Sequence, residues 1–510
     1  MNHTILLLPV DARPVTRELP CQIAHIGGWS VQVPEERKLG FLKSPGDVEW
    51  LHAWLKSEAE KAEGLVLSID MLLYGGLVPS RVNTDSLEAV SARLAIIREL
   101  KRLYPAKSIM AFSSTMRISN NYVNEEEKEY WSSYGEELWS YSYYTHHYER
   151  TGDVQSQQQV ERLLALIPEA ILADYLATRE RNYLINQELL AYVEDGSLEL
   201  LVFPQDDTAE YGLNIREQQL LEDEVSKRGL YEQVLIYPGA DEVAGTLVSR
   251  MIIGLEGVPF PTFYPLYSGE KGALVPAMYE DRPLAESAKG QIFALGGCTV
   301  ETAAEADLVL ALNVPGKRQG DLALQKYLGE VNTADRNIGE WLNRIKRYIG
   351  LGYKVAIADV AYANGADEKL VPRLLKVIPV KQLSGFAAWN TAGNTLGTVV
   401  AQAAMVYLQS IKPSVEEQEV RRRLQEQLVL RLLEDYVYQS QVRQQVRALG
   451  VEGEASAEEL LRVVQDAFEP EAKRFMNDYA PDAHCEFEQI FLPWNRTFEI
   501  GLRTSLTLVK

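Results

Sequence analysis

The sequence has few cysteines and no long apolar run. Cys21, Cys298 and Cys485 are too few and too far apart for a disulfide framework or a zinc knuckle. No apolar stretch approaches the ~20 residues that a membrane helix needs. The N-terminus also lacks the basic region and the cleavage site of a signal peptide. These absences lead us to expect a cytoplasmic protein with no membrane partner.

Basic residues are in deficit as well. The chain of 510 residues has 51 Lys and Arg against 72 Asp and Glu, which gives a formal net charge of -21. Such a surface repels phosphate backbones, so we expect no nucleic-acid partner. The GxxxxGK[ST], HExxH and CxxC motifs are absent. We therefore expect no cofactor and no metal, with magnesium or calcium held by Asp70, Asp206 and Asp359 as the alternative.

The sequence does contain a recurring unit: a short apolar run, a polar loop and a helical stretch. Continuous apolar runs are typical of strands buried on both faces, as in parallel sheets covered by helices. Their alternation with helical patterns predicts βαβ units. Nine runs are predicted to be strands: Ile5–Asp11, Gly64–Asp70, Ser108–Ser114, Leu198–Asp207, Val234–Glu242, Thr262–Ser268, Asp307–Asn313, Lys354–Val360 and Ser384–Asn390.

Nine strands are one more than a (β/α)8 TIM-like barrel requires, so Thr262–Ser268 or the run Ile292–Gly297 would lie outside it. We predict such a barrel as the catalytic domain over residues 1–410, with a helical insertion at about 119–198. A mainly helical region at 411–510 would pack on it, and the last residues look like a terminal strand or hairpin. An open, doubly wound parallel sheet in two lobes is the alternative fold.

Polar residues concentrate where the predicted strands end. Ligands of parallel α/β folds bind at the carboxyl ends of the strands, so these residues are candidates for substrate binding. Each one also has an ordinary interpretation, as a helix cap, a turn residue or, for Trp389, a core residue. Arg13, Arg81 and Arg117 could bind an anionic group of the substrate or neutralise the acidic residues. The candidates are Asp11, Arg13, Asp70, Tyr74, Arg81, Arg117, Asp359, Asn364, Trp389, Asn390 and Asn394.

Two adjacent pairs of acidic residues are the candidate catalytic groups. Asp206 and Asp207 follow the fourth predicted strand, and Asp241 and Glu242 follow the fifth. Two neighbouring carboxyl groups in a cleft cannot both ionise freely, so identical residues can supply an acid and a base. Glycoside hydrolysis needs such a pair. The alternative for both pairs is a turn followed by a helix cap.

Several longer motifs resemble a known family. LPVDARPV, SIDMLLYGGLVPSR, PQDDTAEYGLN, GADE and WNTAGNTLG are together similar to the bacterial domain-of-unknown-function family 4127. The resemblance runs from Leu8 to the neighbourhood of Pro493-Trp494-Asn495-Arg496, nearly the whole chain. This family implies no established activity.

A second resemblance concerns mechanism. O-GlcNAcase-type glycoside hydrolases are barrels with a tandem Asp after the fourth strand and a later Trp-Asp-Asn motif. The likeness implies that Asp206 orients the substrate's acetamido group and that Asp207 protonates the leaving oxygen. It also implies that Asn390 and Asn394 bind sugar hydroxyls. This sequence departs from the motif because Asn390, not Asp, follows Trp389.

These observations favour an enzyme, a carbohydrate-active hydrolase that acts on a small-molecule or oligosaccharide substrate. One alternative is a metal-assisted lyase, isomerase or hydrolase for a polar metabolite, and another is a non-catalytic sugar-binding protein. The aromatic segment at residues 130–148 could cover the site or form a homo-oligomer interface.

Overall fold

The computed structural model describes residues 3–481 and 483–508, which form two compact units. Unit 1 takes the described residues up to Ala12, together with Val31–Ala244 and Tyr279–Asp281. Unit 2 takes Arg13–Ser30, Gly245–Met278 and the described residues from Arg282 onward. The predicted boundary near residue 410, between a catalytic part and an accessory part, stays a prediction.

The strands of the described residues are numbered along the chain. They are β1 (Thr4–Leu8), β2 (Ser30–Gln32), β3 (Gly64–Ser68), β4 (Ser108–Phe112), β5 (Leu200–Gln205), β6 (Val234–Pro238), β7 (Thr262–Tyr267), β8 (Cys298–Thr299), β9 (Leu308–Asn313), β10 (Gly320–Asp321), β11 (Lys354–Asp359), β12 (Tyr362–Ala363), β13 (Gly385–Ala387), β14 (Ala483–Phe491) and β15 (Gly501–Leu508).

The α-helices are numbered in the same way. They are α1 (Pro14–Ile26), α2 (Val48–Glu58), α3 (Ile69–Tyr74), α4 (Leu77–Val82), α5 (Leu87–Arg93), α6 (Ala95–Leu103), α7 (Trp131–Thr151), α8 (Val154–Leu166), α9 (Glu169–Glu194), α10 (Leu213–Arg228), α11 (Val243–Glu256), α12 (Glu270–Ala273), α13 (Leu284–Leu295), α14 (Leu328–Val331), α15 (Ile338–Gly350), α16 (Val371–Val377), α17 (Ala392–Ile411), α18 (Glu417–Leu432), α19 (Arg443–Ala448) and α20 (Ala457–Tyr479).

A six-stranded sheet forms the centre of unit 1, in the order β2-β1-β3-β4-β5-β6. Strands β1, β3, β4, β5 and β6 pair in parallel, with Ile5 opposite Gly64 and Gly64 opposite Ser108. Every residue of β3 and β5 is buried, as continuous apolar runs predict for a covered parallel sheet. Strand β2 lies on one side of β1, and β3 lies on the other. The strand order therefore reverses between β1 and β3, which makes this a topological switch point.

Three helices, α7, α8 and α9, are inserted between β4 and β5. They surround a small apolar cluster that includes Trp131, Leu138, Leu163 and Tyr175. The sequence predicted helices for this segment because it is rich in Glu, Gln and Tyr and contains no strand-like run.

A five-stranded sheet forms the centre of unit 2, in the order β13-β11-β9-β7-β8. All its pairs are parallel, and Asp359 at the end of β11 lies opposite Asn313 at the end of β9. Helix α17 packs against β9, β11 and β13. It is buried on nearly all sides, which suits a helix with almost no charged residue. A second switch point lies between β7 and β9, so the five strands of this sheet have the order second-first-third-fourth-fifth, as do the first five strands of the unit 1 sheet.

The other elements of unit 2 come from both ends of the chain. Helix α1 packs against α17 and α18. A π-helix (Leu433–Val442) joins α18 to α19. Strands β14 and β15 form an antiparallel hairpin. The last residues were predicted to form a terminal strand or hairpin, and they supply β15, whereas β14 lies before them.

All nine predicted strands are present, but the predicted single barrel is not confirmed. In the described residues these nine strands are divided between two parallel sheets. One sheet has β2 and β6 at its edges, and the other has β13 and β8. This arrangement fits the open, doubly wound alternative. The run Ile292–Gly297 is not a strand, because its first residues are the last turn of α13.

Candidate functional site

Unit 1 presents carboxyl groups at the ends of three strands of its sheet, two of which flank the switch point. Asp11 follows β1, Asp70 follows β3, and Asp206 with Asp207 follows β5. Because these strands are parallel, their carboxyl ends lie at one edge of the sheet. Asp11 is buried at the end of β1.

Asp70 is buried in the first turn of α3, which follows β3 without a loop. Ser68 caps this helix, since its hydroxyl accepts the N–H of Met71 at 3.2 Å. The Asp70 carboxylate accepts the N–H of Ser114, at the end of β4, at 3.0 Å. Burial raises the pKa of Asp70 to about 6, and the hydrogen bonds from Ser114 oppose the rise.

Tyr74, at the end of α3, is a core residue of unit 1. Its ring is buried and lies 5.0 Å from the guanidinium of Arg181. Arg181 in turn donates to the Ser80 carbonyl at 3.1 Å. We therefore assign Tyr74 a packing role, and its predicted contact with substrate stays a prediction.

The tandem Asp pair belongs to a cluster of two arginines and four carboxylates. Arg81 donates to Asp206 at 2.8 Å and to Glu126 at 3.1 Å. Arg117 lies 3.3 Å from Asp207, 4.0 Å from Asp206 and 3.0 Å from Glu126. Glu127 completes the cluster at 3.3 Å from Arg117. Both arginines thus neutralise carboxylates of this chain, one of the two roles that the sequence left open.

Asp207 is the most accessible charged group of this arginine–carboxylate cluster. Its side chain is 30% exposed, against 16% for Asp206 and 1% for Arg81. Partial burial and the charge of Asp206 raise the pKa of Asp207 to about 7, while Arg117 opposes the rise. The two adjacent carboxyl groups are therefore inequivalent: Asp206 is paired with the buried Arg81, and Asp207, beside the more exposed Arg117, keeps its proton to a higher pH than an ordinary Asp.

The loop that carries the pair is fixed on several sides. Asp207 has φ +49, a left-handed conformation that Asp and Asn adopt more readily than most residues. The side chain of Asn214 donates to the Asp207 carbonyl at 3.4 Å. The next residue, Thr208, donates its N–H to the Tyr279 carbonyl at 2.9 Å. Helix α10 begins only at Leu213 and has Gly212 as its cap residue, so the Asp pair does not cap it.

A buried ion pair supports Arg117 from behind. Arg179 on α9 donates to both carboxylate oxygens of Glu217 on α10, at 2.8 and 2.7 Å. A third nitrogen of Arg179 donates to the Arg117 carbonyl at 3.3 Å. Because both partners are buried, this pair holds the backbone of Arg117 in place.

The second predicted acidic pair follows β6 and forms a tight turn. Glu242 accepts the N–H of Ala240 at 2.9 Å, and Gly239 takes φ +154 directly before it. Both Asp241 and Glu242 are buried. For Glu242, this observed bond fits the turn alternative. The catalytic role of the pair stays a prediction.

The remaining predicted site residues belong to unit 2, where Asp359 is part of a buried polar network. Asn313 donates to Asp359 at 2.8 Å, and Arg336 donates to Asp367 at 2.8 Å. The N–H of Asp367 donates to Asp359 at 2.7 Å. Burial, and then the charge of Asp367, raises the pKa of Asp359 to about 7.

Two asparagines with positive φ meet in unit 2. The N–H of Asn364 (φ +62) donates to the carbonyl of Asn390 (φ +52) at 2.9 Å. The Asn364 side chain donates to Asp321 at 3.2 Å. These residues are seen to shape loops, and their contact with a substrate stays a prediction.

Trp389 and Asn394 hold the start of α17. Trp389 is only 6% exposed and donates its indole N–H to Thr398 at 3.2 Å. This placement fits the core interpretation, and no open indole face is seen for a sugar. Asn394 donates to Thr391 at 3.0 Å.

Arg13 lies directly before α1 and contacts the C-terminal residues of its own unit. Its guanidinium lies 3.3 Å from Glu499 and 4.5 Å from the centre of the Trp494 ring. Like Arg81 and Arg117, it has a carboxylate partner within the protein.

No three His, Cys, Asp or Glu side chains are arranged to hold a metal ion in the described part of the chain. None of the helices within residues 3–481 and 483–508 has both the length and the apolar character of a membrane span.

Comparison with known proteins identifies the family. Residues 5–503 match the family described as "Protein of unknown function (DUF4127)". The chain belongs to this family. No curated protein and no solved structure gave a significant match.

Some residues of this DUF4127 site were missed in the sequence. Glu126 and Glu127 lie in a run of three glutamates before α7, which resembles an ordinary solvated helix start. Asp435 belongs to unit 2 and not to this cluster, and it was missed as well: in the π-helix it accepts the N–H of Ala388 at 2.8 Å just after β13. Its place in a π-helix is the feature that distinguishes Asp435, and the amino-acid pattern does not predict a π-helix.

Proposed function

We propose that this DUF4127 protein is a carbohydrate-active hydrolase whose catalytic pair is Asp206 and Asp207. One observation carries the proposal: two adjacent carboxyl groups at a strand-end edge lie in unequal environments, Asp206 paired with the fully buried Arg81 and Asp207, the more exposed of the two, paired with the more exposed Arg117. Such inequivalence separates an acid from a charged partner, as glycoside hydrolysis needs.

In the proposed reaction, Asp207 is the general acid. Its carboxyl group is protonated near neutral pH and gives the proton to the glycosidic oxygen as the C–O bond breaks. The carboxylate of Asp206 stabilises the positive charge that develops on the sugar ring, either directly or by orienting an acetamido group. Water supplies the hydroxyl group for the anomeric carbon, and its proton restores Asp207.

The arginines make a neutral sugar a better substrate than an anionic one. Arg81 and Arg117 are both engaged by carboxylates of the protein, and the cluster holds four carboxylates for two guanidinium groups. An anionic substrate would have to displace these partners.

The proposal includes a cytoplasmic location, which the free state of Cys21, Cys298 and Cys485 supports.

Hydrolysis of chromogenic glycosides tests the proposal. The purified full chain is assayed against α- and β-glycosides, including N-acetylated and uronic sugars, with and without a chelator. We expect release of the chromophore that ignores the chelator and falls by about 100-fold or more in Asp207→Asn. Asp195→Asn is the matched control, because Asp195 also pairs with an arginine, Arg98, but lies outside the cluster.

Other outcomes would favour the two alternatives. Activity that disappears with the chelator and returns with magnesium or manganese would indicate a metal-assisted enzyme. Sugar binding without turnover, unchanged in Asp206→Asn and Asp207→Asn, would indicate a non-catalytic binding protein.

A further inference from the structure

An aromatic cluster lies beside the loop that carries Asp207. Trp139, Tyr143 and His147 recur every four residues on α7, so they form one stripe of the helix. Tyr143 stacks on Trp139 at 5.5 Å and on His147 at 6.0 Å between ring centres. Tyr211 meets His147 edge-on at 4.6 Å and Tyr143 at 5.6 Å. We call these four residues the aromatic platform.

The aromatic platform lies at the edge of the apolar core of the inserted helices, against which Trp139 packs. The buried stripe of α7 is formed by other residues, among them Trp131, Leu138, Ser142 and His146. All four rings of the platform are only half-buried. Exposure of contiguous apolar rings to water is unfavourable, and such surfaces on folded proteins often mark a binding site.

Direct hydrogen bonds join the helix of the platform to the loop of the acid pair. Ser142 on α7 accepts the N–H of Leu213 at 2.7 Å, and His146 accepts the N–H of Gly212 at 3.1 Å. Tyr211 precedes these two residues and follows Asp207 by four positions. The platform is thus continuous with the proposed catalytic loop and is held in a fixed position next to it.

The geometry of the platform selects the kind of ligand. Neighbouring rings touch each other, so no gap between them could enclose a cation as an aromatic cage does. A ligand can only lie against the ring surfaces that stay exposed on the outside of the cluster. The apolar face of a pyranose binds aromatic rings in this way. Burial and the nearby charge of Glu210 raise the pKa of Tyr143, and such acidic surroundings disfavour an anionic ligand.

We propose that the aromatic platform is a sugar-binding subsite, which holds one neutral ring of an oligosaccharide while Asp206 and Asp207 act on a bond farther along the same chain. The substrate class is therefore an uncharged oligosaccharide. This inference rests on the proposed function for the reaction, but the binding itself does not require catalysis.

Calorimetric titration with three neutral tetrasaccharides tests the subsite. Maltotetraose, cellotetraose and N-acetylchitotetraose are titrated into the full chain and into Asp207→Asn. We expect at least one of them to bind both proteins with a Kd of about 1 mM or lower. Tyr211→Ala and Trp139→Ala should each weaken that binding about tenfold, whereas Tyr211→Phe should retain it because the ring remains.

Controls separate binding from stability and from catalysis. Tyr231→Ala removes an exposed tyrosine of the same unit outside the platform and should leave binding unchanged. Tyr211→Leu keeps apolar volume without a ring, so it replaces Tyr211→Ala if that variant unfolds.

Two results would overturn the subsite: no binding of any tetrasaccharide up to about 10 mM, or unchanged affinity in folded Tyr211→Ala and Trp139→Ala. Hydrolysis of simple glycosides together with either result would leave the hydrolase standing and remove only the subsite. Platform-dependent binding without hydrolysis of any glycoside would support the subsite and refute the hydrolase.

Discussion

At the scale of single residues, Asp207 combines a left-handed backbone with a carboxyl group whose pKa is raised from 3.8 to about 7. The folded state therefore binds this proton more tightly than the unfolded chain does. The stability that this provides is present below pH 4 and is lost as the pH rises from about 4 to 7. At higher pH the charge of Asp207 lowers the free energy of unfolding, as is common for residues that are retained for function.

Asp207→Asn should therefore stabilise the protein while it abolishes activity. Asn accepts φ +49 as readily as Asp and cannot ionise. We expect a gain in the free energy of unfolding that is larger at pH 8 than at pH 5, by about 1 kcal/mol or more. Urea unfolding at both pH values measures it. An equal or smaller gain at pH 8 would show that the charge of Asp207 costs the fold nothing.

The pH profile of hydrolysis should fall on the alkaline side near the pKa of Asp207. A general acid works only when protonated, so the rate should decline above about pH 7. Removal of the opposing cation in Arg117→Met should move this decline to higher pH, because Arg117 favours the ionised form of Asp207. Initial rates from pH 5 to 9 measure this decline in the unchanged protein and in Arg117→Met. A decline that moves to lower pH in the variant would contradict the assignment.

Sequence reasoning reached part of the site at this scale. Asp206 and Asp207 were visible because they are adjacent and follow an apolar run. Arg81 and Arg117 were visible as cations at strand ends, but their carboxylate partners lie far away in sequence: Glu126 is 45 residues from Arg81. The pattern of one segment holds no information on such pairs, so neither the arginine–carboxylate cluster nor the Arg179–Glu217 pair could be predicted.

At the scale of helices and strands, the Arg179–Glu217 pair fastens α9 to α10 behind the site. Glu217→Gln leaves the Arg179 charge buried without its carboxylate and should lower the free energy of unfolding by about 3–5 kcal/mol. Glu149→Gln is the matched control, because its pair with Arg216 joins α7 to α10 at the surface. That change should cost about 0–1 kcal/mol. Equal losses, measured by urea unfolding, would mean that the buried pair does not stabilise this region.

Element prediction worked where local pattern decides the structure. Each apolar run that ended in polar residues became a strand, because burial on both faces requires such a run. Strands β2 and β8 were missed because two or three residues carry no pattern. The helix α3 was also missed, since it starts directly after β3 and continues the same apolar run to Tyr74.

At the scale of the whole molecule, carboxyl groups with raised pKa values occur in both units. Burial is the first cause in each: Asp70 and Asp435 rise to about 6, and Asp207 and Asp359 rise to about 7. These four groups thus bind more protons in the folded chain than in the unfolded chain between about pH 4 and pH 7, whereas burial lowers the pKa values of His25, His52 and His146 and acts in the opposite direction. Stability should fall as the pH rises through this range. The net charge of -21 acts in the same direction, because self-repulsion increases with pH.

Because four carboxyl groups with raised pKa values outnumber three histidines with lowered ones, we expect the urea midpoint to be higher at pH 5.5 than at pH 8. Urea titrations at several pH values, in a constant salt concentration, measure it. A midpoint that is constant or rises over this interval would contradict the raised pKa values.

The division into two sheets could not be derived from the sequence. A sequence of nine strands that alternate with helices is equally compatible with one barrel and with two open sheets. The choice depends on which strands become neighbours, for example β7 with β9 and not with β6. Pairing between distant strands is a property of the folded chain, and the local pattern that identifies a strand does not name its partner.

Helix α1 has a consequence for the synthesis of the protein. It is synthesised long before α17 and α18, against which it packs, and Gly27 accepts a hydrogen bond from Gln409, 382 residues later. At about 5–20 residues per second, the apolar side of α1 waits roughly 20–80 seconds for its partners. During that time Val15, Leu19 and Ile23 have no native partner on α17 or α18. During synthesis this apolar side is therefore exposed and prone to aggregate until α17 and α18 have formed.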